Sequence, residues 1–247
     1  MSINVVLALM IIASFLVAIP LHEFGHALMA LWLGDRTALN EGRMSLSPRA
    51  HLDPLGTLMC VILAFQPGLA VGFGWGKPIK TDPWKMRLGP NTGTLVVAIA
   101  GPIFSLLIGL LAAVGVRFLP PVLFTEPFLI RLPQLLLVFA SVNVSLTLFN
   151  IIPLYPLDGY QILYALLPTR QAAQFSKSAQ YGPLIILALF FLLPFLAQFS
   201  GLSGFFLFQL PFYIWQGSLI ILSLVTGSIP VSHGILGLYL YNIPGLH

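Results

Sequence analysis

Five stretches of this chain, about residues 3–33, 92–118, 132–152, 182–199 and 203–226, are apolar over lengths that can cross a lipid bilayer. Hydrocarbon offers no partner to a backbone N–H or C=O, so each stretch must satisfy its own backbone as a helix. The rest of the composition agrees. Only 7% of the 247 residues are charged and 58% are hydrophobic, against about 25% charged in an ordinary soluble domain. The chain is therefore expected to be an all-α polytopic membrane protein with five to six transmembrane helices. A sixth apolar stretch, 55–76, carries Gly56, Pro67, Gly68, Gly72, Gly74 and Gly76, which suits a re-entrant or interfacial hairpin better than a straight helix. The tail, 227–247, has no spanning run, and no long polar linker divides the sequence. One integral membrane domain, 1–247, is the reading.

Seven of the eleven basic residues, Arg36, Arg43, Arg49, Lys77, Lys80, Lys85 and Arg87, fall between the first two spans. Arg170 and Lys177 fall between the third and fourth. The positive-inside tendency puts 34–91 and 168–180 in the cytoplasm and the amino terminus outside. A net charge of +4 is accounted for by these loops, which leaves no reason to invoke nucleic acid. The first span is not a removable signal peptide, since it lacks a basic leader and holds polar residues inside its apolar run. Cys60, the lone cysteine, excludes an intrachain disulfide and any cysteine-based zinc cluster; it reads as a small apolar residue.

Those polar residues sit in "VAIPLHEFGHALMALWLGD", residues 17–35. His22 and His26 are four apart, so a helix directs both imidazoles to one side. Glu23 lies beside the first, within reach of a water on a shared cation. This is the HExxH spacing of zinc proteases, two ligands and a general base. The alternative is a Glu–His pair that hydrogen-bonds between helices. Ionisable groups inside a membrane cost about 2.5–3.5 kcal/mol on insertion scales for Asp, Lys or Arg, which favours a functional site.

A zinc site needs a third protein ligand. Asp35, Glu41, His51, Asp53 and Asp82 lie in the basic loop, Glu126 in the opposite one, and His233 and His247 in the tail. Asp158 differs, standing in "LFNIIPLYPLDGYQILYALLP" with apolar sequence on both sides. Pro153 and Pro156 interrupt any helix there, and Gly159 permits a tight turn. Counted from the ends of their segments at Gly34 and Pro168, His22 and His26 lie roughly 18 and 12 Å deep and Asp158 roughly 15 Å, at about 1.5 Å per helical residue. As one straight helix, 131–168 would extend roughly 57 Å, against a hydrocarbon core of about 30 Å. The chain must bend, and "NIIPLYPLDG" is where it should.

Taken together, "HEFGH" and "FNIIPLYPLDG", in that order, resemble the site-2 protease family of intramembrane zinc metalloproteases. "GRMSLSPRAHLDPLGTL", "FGWGKPIKTDPWKMR" and "AGPIFSLLIG" resemble its compact prokaryotic branch. The resemblance covers about residues 15–165, with a catalytic core over about 3–168 and additional helices over about 182–226. It implies one Zn2+ per chain held by His22, His26 and Asp158, with Glu23 as base. It also implies transmembrane protein or peptide substrates, a place in a prokaryotic inner membrane, and a site opening toward the cytoplasm. No PDZ-like or CBS-like domain fits in the sequence. Asn150 matches the asparagine of the family motif and either holds substrate backbone or oxyanion or caps the broken helix. Where the family often carries asparagine after its Gly-Pro pair, this chain has Ser105. Asn143 reads as a packing residue.

The competing reading is a metal-ion transporter or a proteolytically inactive scaffold of the same fold. Only one intramembrane ligand cluster is visible, whereas an ion pathway needs successive sites. The alternation in "RMSLS" makes 36–54 either a short β-like edge that accepts an extended substrate or an interfacial loop. His51 and Asp53 fit a turn better than a metal site, with Pro54 and Gly56 following. Trp75 and Trp84 read as an interfacial belt. The Phe-rich stretches near 190 and 205 read as lipid-facing or packed helix surfaces.

The charge pattern makes a direct prediction about sidedness. In a Cys60→Ala background, cysteines introduced at Ser47 and Thr125 should react with a membrane-impermeant thiol reagent from opposite sides. Reaction of both from one side would overturn the orientation.

Overall fold

A computed structural model describes residues 5–66, 72–126, 129–200 and 205–227. The elements that matter for the site are α1, Val5–Trp32; α2, Pro54–Ala64; α3, Pro90–Arg117; α4, Arg131–Asn150; α5, Asp158–Leu166; α6, Thr169–Ala197; and α7, Leu210–Thr226. Among the described residues five helical stretches are long and apolar enough to cross a membrane: α1, α3, α4, α6 and Phe206–Thr226, which contains α7. The protein is an all-α polytopic membrane protein.

The first three spans match the expected runs closely, and the fourth begins earlier. Residues 168–180, expected as a loop, are helical from Thr169, passing through a 3-10 turn at Ser176–Tyr181 and a π turn at Ala188–Leu192. "TRQAAQF" is rich in good helix formers, and Pro168 stands just before it as the N-cap residue. Polarity made this segment look like a loop, although it does not prevent a helix outside the lipid.

The interrupted stretch 55–76 doubles back. Asp53 caps α2 by accepting from the N–H groups of Leu55 and Gly56 at 3.0 and 2.9 Å. After residues 67–71, which lie outside the described set together with the whole tail from 228, the chain returns beside its own start. Leu52 and Gly76 form an isolated antiparallel bridge, and a Cβ on Gly56 would come within 2.8 Å of the Trp75 amide nitrogen. Glycine is needed there for close backbone approach. That bridge is the only β pairing among the described residues. Segment 36–54 forms single helical turns at Thr37–Asn40 and Pro48–His51 instead of an edge strand, so the loop alternative describes it.

Helix α3 packs against α1, α4, α5 and α7. Small residues let these helices approach. A Cβ on Gly25 of α1 would meet the Phe104 Cβ of α3 at 2.7 Å, and one on Gly109 of α3 would stand 3.0 Å from the Ala140 carbonyl of α4. Asn143, fully buried, lies at the same contact and donates to Phe139 O at 2.9 Å. The largest apolar cluster joins Phe15 and Ile19 of α1, Met59 and Cys60 of α2, Phe149 of α4 and Phe190 of α6. Phe73 stacks on Phe149 at 5.5 Å, with Phe190 edge-on to both. Phe205 and Phe206 are exposed.

Between α4 and α5 the chain turns through residues 151–157, and the Tyr155–Pro156 peptide is cis. Gly159 follows Asp158 at the start of α5, and any Cβ there would collide with the carbonyls of Ile151 and Ile152. Its φ is not positive. The glycine serves close approach, not a left-handed turn. Backbone atoms cannot swing aside, so Gly159→Ala should cost about 1–3 kcal/mol by overpacking and move Asp158. A lowered apparent melting temperature in detergent would register this, and an unchanged one would refute it.

Candidate metal centre

Two elements bring the polar residues together. His22 and His26 stand one turn apart on α1, and Asp158 opens α5. Both histidines are buried, at 2% and 5% exposure. His22 Nε2 lies 2.9 Å from Asp158 Oδ2, His26 Nε2 lies 3.1 Å from Asp158 Oδ1, and the two Nε2 atoms are 3.2 Å apart. The rings meet edge to face, with centroids 4.8 Å apart. Among the described residues this is the one group of three or more His, Cys, Asp or Glu side chains with metal-ligand spacing.

The donor set fits a zinc ion. Around an ion with bonds of about 2.0–2.1 Å, tetrahedral ligand atoms stand roughly 3.3 Å apart, close to the separations found. The outer nitrogens strengthen the case. His26 Nδ1 is 2.7 Å from the Val97 carbonyl of α3, and a carbonyl can only accept, so Nδ1 carries the proton. Its Nε2 then presents a lone pair to the cluster unless the ring is cationic. His22 Nδ1 is 2.9 Å from Ser105 Oγ, and with that hydroxyl as acceptor its Nε2 does the same. Two lone pairs facing each other repel. A cation between them, held also by the carboxylate, removes the repulsion.

Glu23 points into the same space. Its side chain packs on Gly76, where a Cβ would come within 2.7 Å of Oε1. Its Oε2 is buried without a hydrogen-bond partner. With His26, Asp158 and Asn150 it lines a cavity of about 380 Å³ walled by Trp75, Ile79, Tyr155, Gln161 and Tyr164. Asn150 is buried, and its Nδ2 donates to Leu146 O at 2.9 Å inside α4. Trp75 departs from the interfacial belt expected of it. It is 4% exposed and forms a cavity wall, whereas Trp84 is 84% exposed. The glycines around Trp75 let its backbone fold down against α2.

The remaining acidic and histidine candidates among the described residues are placed elsewhere. His51 is buried and its Nε2 donates to Ser45 O at 2.7 Å; burial pushes its imidazole below the usual value. Asp53 is the α2 cap. Asp35 accepts from Thr37 N–H and Asp82 N–H at 2.9 and 2.6 Å, tying the two ends of the basic loop. Glu41 pairs with Lys80, and Asp82 with Lys85. His233 and His247 lie outside the described residues.

Sequence reasoning did not find the contacts from α3: Ser105, the Val97 carbonyl, and Gly101, where a Cβ would fall on the His26 ring. A signal was present, since Gly101 and Ser105 are four apart and share a face of an otherwise apolar helix.

Comparison with known proteins places the chain. The description of peptidase family M50 matches residues 126–193, the part that contains Asp158. The Bacillus subtilis protein named "Putative zinc metalloprotease YwhC" is 33% identical over 188 residues, covering 73% of this chain and 79% of that protein. The chain belongs to peptidase family M50. Another relative is the Mycobacterium tuberculosis protein named "Putative zinc metalloprotease Rip2", 29% identical over 182 residues, covering 73% of this chain and 66% of that one. A protein of the same name from Mycolicibacterium smegmatis is 26% identical over 207 residues. No solved structure matches. As an M50 peptidase, the protein is a membrane metalloprotease of the site-2 protease type, seated in a lipid bilayer.

The geometry predicts the effect of removing the carboxylate. Asp158→Ala should lower the bound metal per chain well below the wild-type content, while Gln161→Ala, from the same cavity wall, should leave it unchanged. Native metal content and affinity in Asp158→Ala would remove Asp158 from the centre.

Proposed function

We propose that the protein cuts peptide bonds within or at the edge of transmembrane segments, at a single zinc ion held by His22, His26 and Asp158. The observation that carries this reading is the meeting of those three side chains at the wall of a cavity lined by His26, Asp158 and Glu23, whose Oε2 has no hydrogen-bond partner. The metal is zinc. The relatives' names specify it, and two imidazoles with a carboxylate form a donor set that zinc accepts readily. When bound, zinc supplies Lewis acidity, which lowers the pKa of a water and stabilises developing negative charge on the scissile carbonyl.

The residues of the chain do the rest. Glu23 accepts a proton from the attacking water and returns it to the departing amine nitrogen. Burial of its Oε2 without a competing donor leaves an oxygen free to take that proton. Asn150 lines the cavity and its amide presents a group to the substrate backbone, alongside its hydrogen bond within α4. Gln161, Tyr155 and Tyr164 bound the space in which an extended segment would lie.

Substrate helices bury their carbonyls in their own hydrogen bonds, so the segment to be cut must unwind. Gly, Pro or Asn near the scissile bond lowers that cost, by about 1 kcal/mol for Gly and 3 for Pro relative to Ala. The cavity is walled partly by Pro78, Ile79, Thr81 and Pro83, which belong to the loop carrying seven of the basic residues. The positive-inside tendency puts that loop in the cytoplasm of a prokaryotic cell and the site open to the same side.

Purified wild-type protein should cleave single-span peptides on the cytoplasmic half of their helices, and chelation should abolish the reaction. Glu23→Gln should retain zinc and lose turnover by about 10²-fold or more, the low end of general-base contributions. Peptide mass mapping reads both. Products cut only in soluble juxtamembrane loops would refute the intramembrane reaction, and comparable turnover by Glu23→Gln would remove Glu23 from the base role.

A further inference from the structure

The outer nitrogens of both histidines are engaged by one helix, and the two partners are different in kind. His26 Nδ1 meets the Val97 carbonyl, which no side-chain substitution can delete, while His22 Nδ1 meets the Ser105 hydroxyl at 2.9 Å. Ser105 is 0% exposed, so water does not stand in for its oxygen. Gly101, one turn earlier, gives up its side chain to make room for the His26 ring. Pro102 removes one backbone donor from the same turn, and its own carbonyl accepts from Thr147 Oγ1 of α4 at 3.1 Å. Residues 97–105 of α3 thus form a fixed seat behind both imidazoles.

We infer that Ser105 is a positioning residue for the metal: it accepts the His22 Nδ1–H and so holds the Nε2 lone pair on the point shared with His26 and Asp158. This inference rests on the ligand set proposed above. Without the hydroxyl, the His22 ring has no acceptor behind it in an apolar wall. Its Nδ1–H would be buried and unpaired, and its competing tautomer, which puts a proton on Nε2, would gain population. Outer partners of ligating histidines fix tautomer and orientation in this manner, and their loss typically lowers metal affinity about 10–100-fold. His26 cannot be uncoupled in the same way, because its acceptor is main chain. Ser105 is therefore the side chain through which substitution would tune the site without touching a ligand.

The test measures zinc affinity by competition with a chelator, and the absorption spectrum of the cobalt-substituted protein, on full-length wild type, Ser105→Ala, Ser218→Ala and His22→Ala. Ser218 is an equally buried serine whose Oγ donates to Trp215 O at 2.7 Å within α7, so it controls for loss of a buried hydroxyl. Ser105→Ala should bind zinc about 10–100-fold more weakly and shift the cobalt bands, with an apparent melting temperature of the metal-free protein close to that of Ser218→Ala. Ser105→Thr, which keeps the oxygen, should recover most of the affinity. Affinity in Ser105→Ala within twofold of wild type, together with loss of zinc from His22→Ala, would overturn the role of Ser105 while leaving the ligand set intact. Retention of zinc by His22→Ala would overturn the ligand set and this inference with it.

Discussion

The contact between two imidazoles of α1 and the carboxylate that opens α5 dictates much of this structure. The two imidazoles are buried and the carboxylate is largely so, and there an isolated charge or unpaired donor costs several kcal/mol. The three are acceptable only together, within about 3 Å of one another. Because the chain separates His22 from Asp158 by more than half its length, α1, α3, α4 and the turn after α4 must be arranged before the contact can form. Helix α3 lies behind the imidazoles and packs against α1, α4, α5 and α7.

Close approach is the device that permits this. In lipid the hydrophobic effect gives no net drive for helices to associate, so contact area and hydrogen bonds between helices must supply it. The glycines of α1 and α3 fall at those contacts. Gly25 admits Phe104, Gly101 admits the His26 ring, and Gly109 admits the α4 backbone. Gly159 lets the start of α5 lie on the carbonyls of residues 151 and 152, which sets where Asp158 emerges. Side chains at these positions would separate the proposed ligands by more than a metal–ligand bond tolerates.

Much of this could be read from residue order alone, for reasons that differ by element. Apolar runs above about 18 residues have one stable form in lipid, so the spans were legible, and a pair of histidines at helical spacing specifies its own shared face. The bend at 151–157 followed from two prolines and a length too great for the bilayer. What was not legible depends on long-range contact. Trp75 resembles any aromatic residue at an interface until Gly56 and Gly76 bring it under the fold. The "RMSLS" alternation suggests a strand, yet among the described residues no partner strand is offered to it, and it lies between single helical turns at Thr37–Asn40 and Pro48–His51 instead. Asp158 was expected in the broken segment and stands as the first residue of the helix that follows, a shift of one position that local propensity does not resolve.

Unpaired buried oxygens and nitrogens test how far function can be read from strain. Glu23 Oε2 is one, but His51 Nδ1 and Asn143 Oδ1 are also buried without partners, so the feature alone does not mark a site. Position separates them. Asn143 sits in a helix–helix contact and His51 within the basic loop, and neither lines the cavity. Glu23 does, one residue from His22 and facing the same space as Asp158. An unpaired acceptor typically costs about 1–3 kcal/mol, a sum the fold can offset elsewhere in the helix packing. In the base role proposed for Glu23 the cost would have a use that the other two lack, because a carboxylate oxygen already engaged by a donor is a poorer proton acceptor. A donor introduced beside Oε2 would relieve the cost and, in the base role proposed for Glu23, weaken proton uptake, so that role would set stability against catalysis.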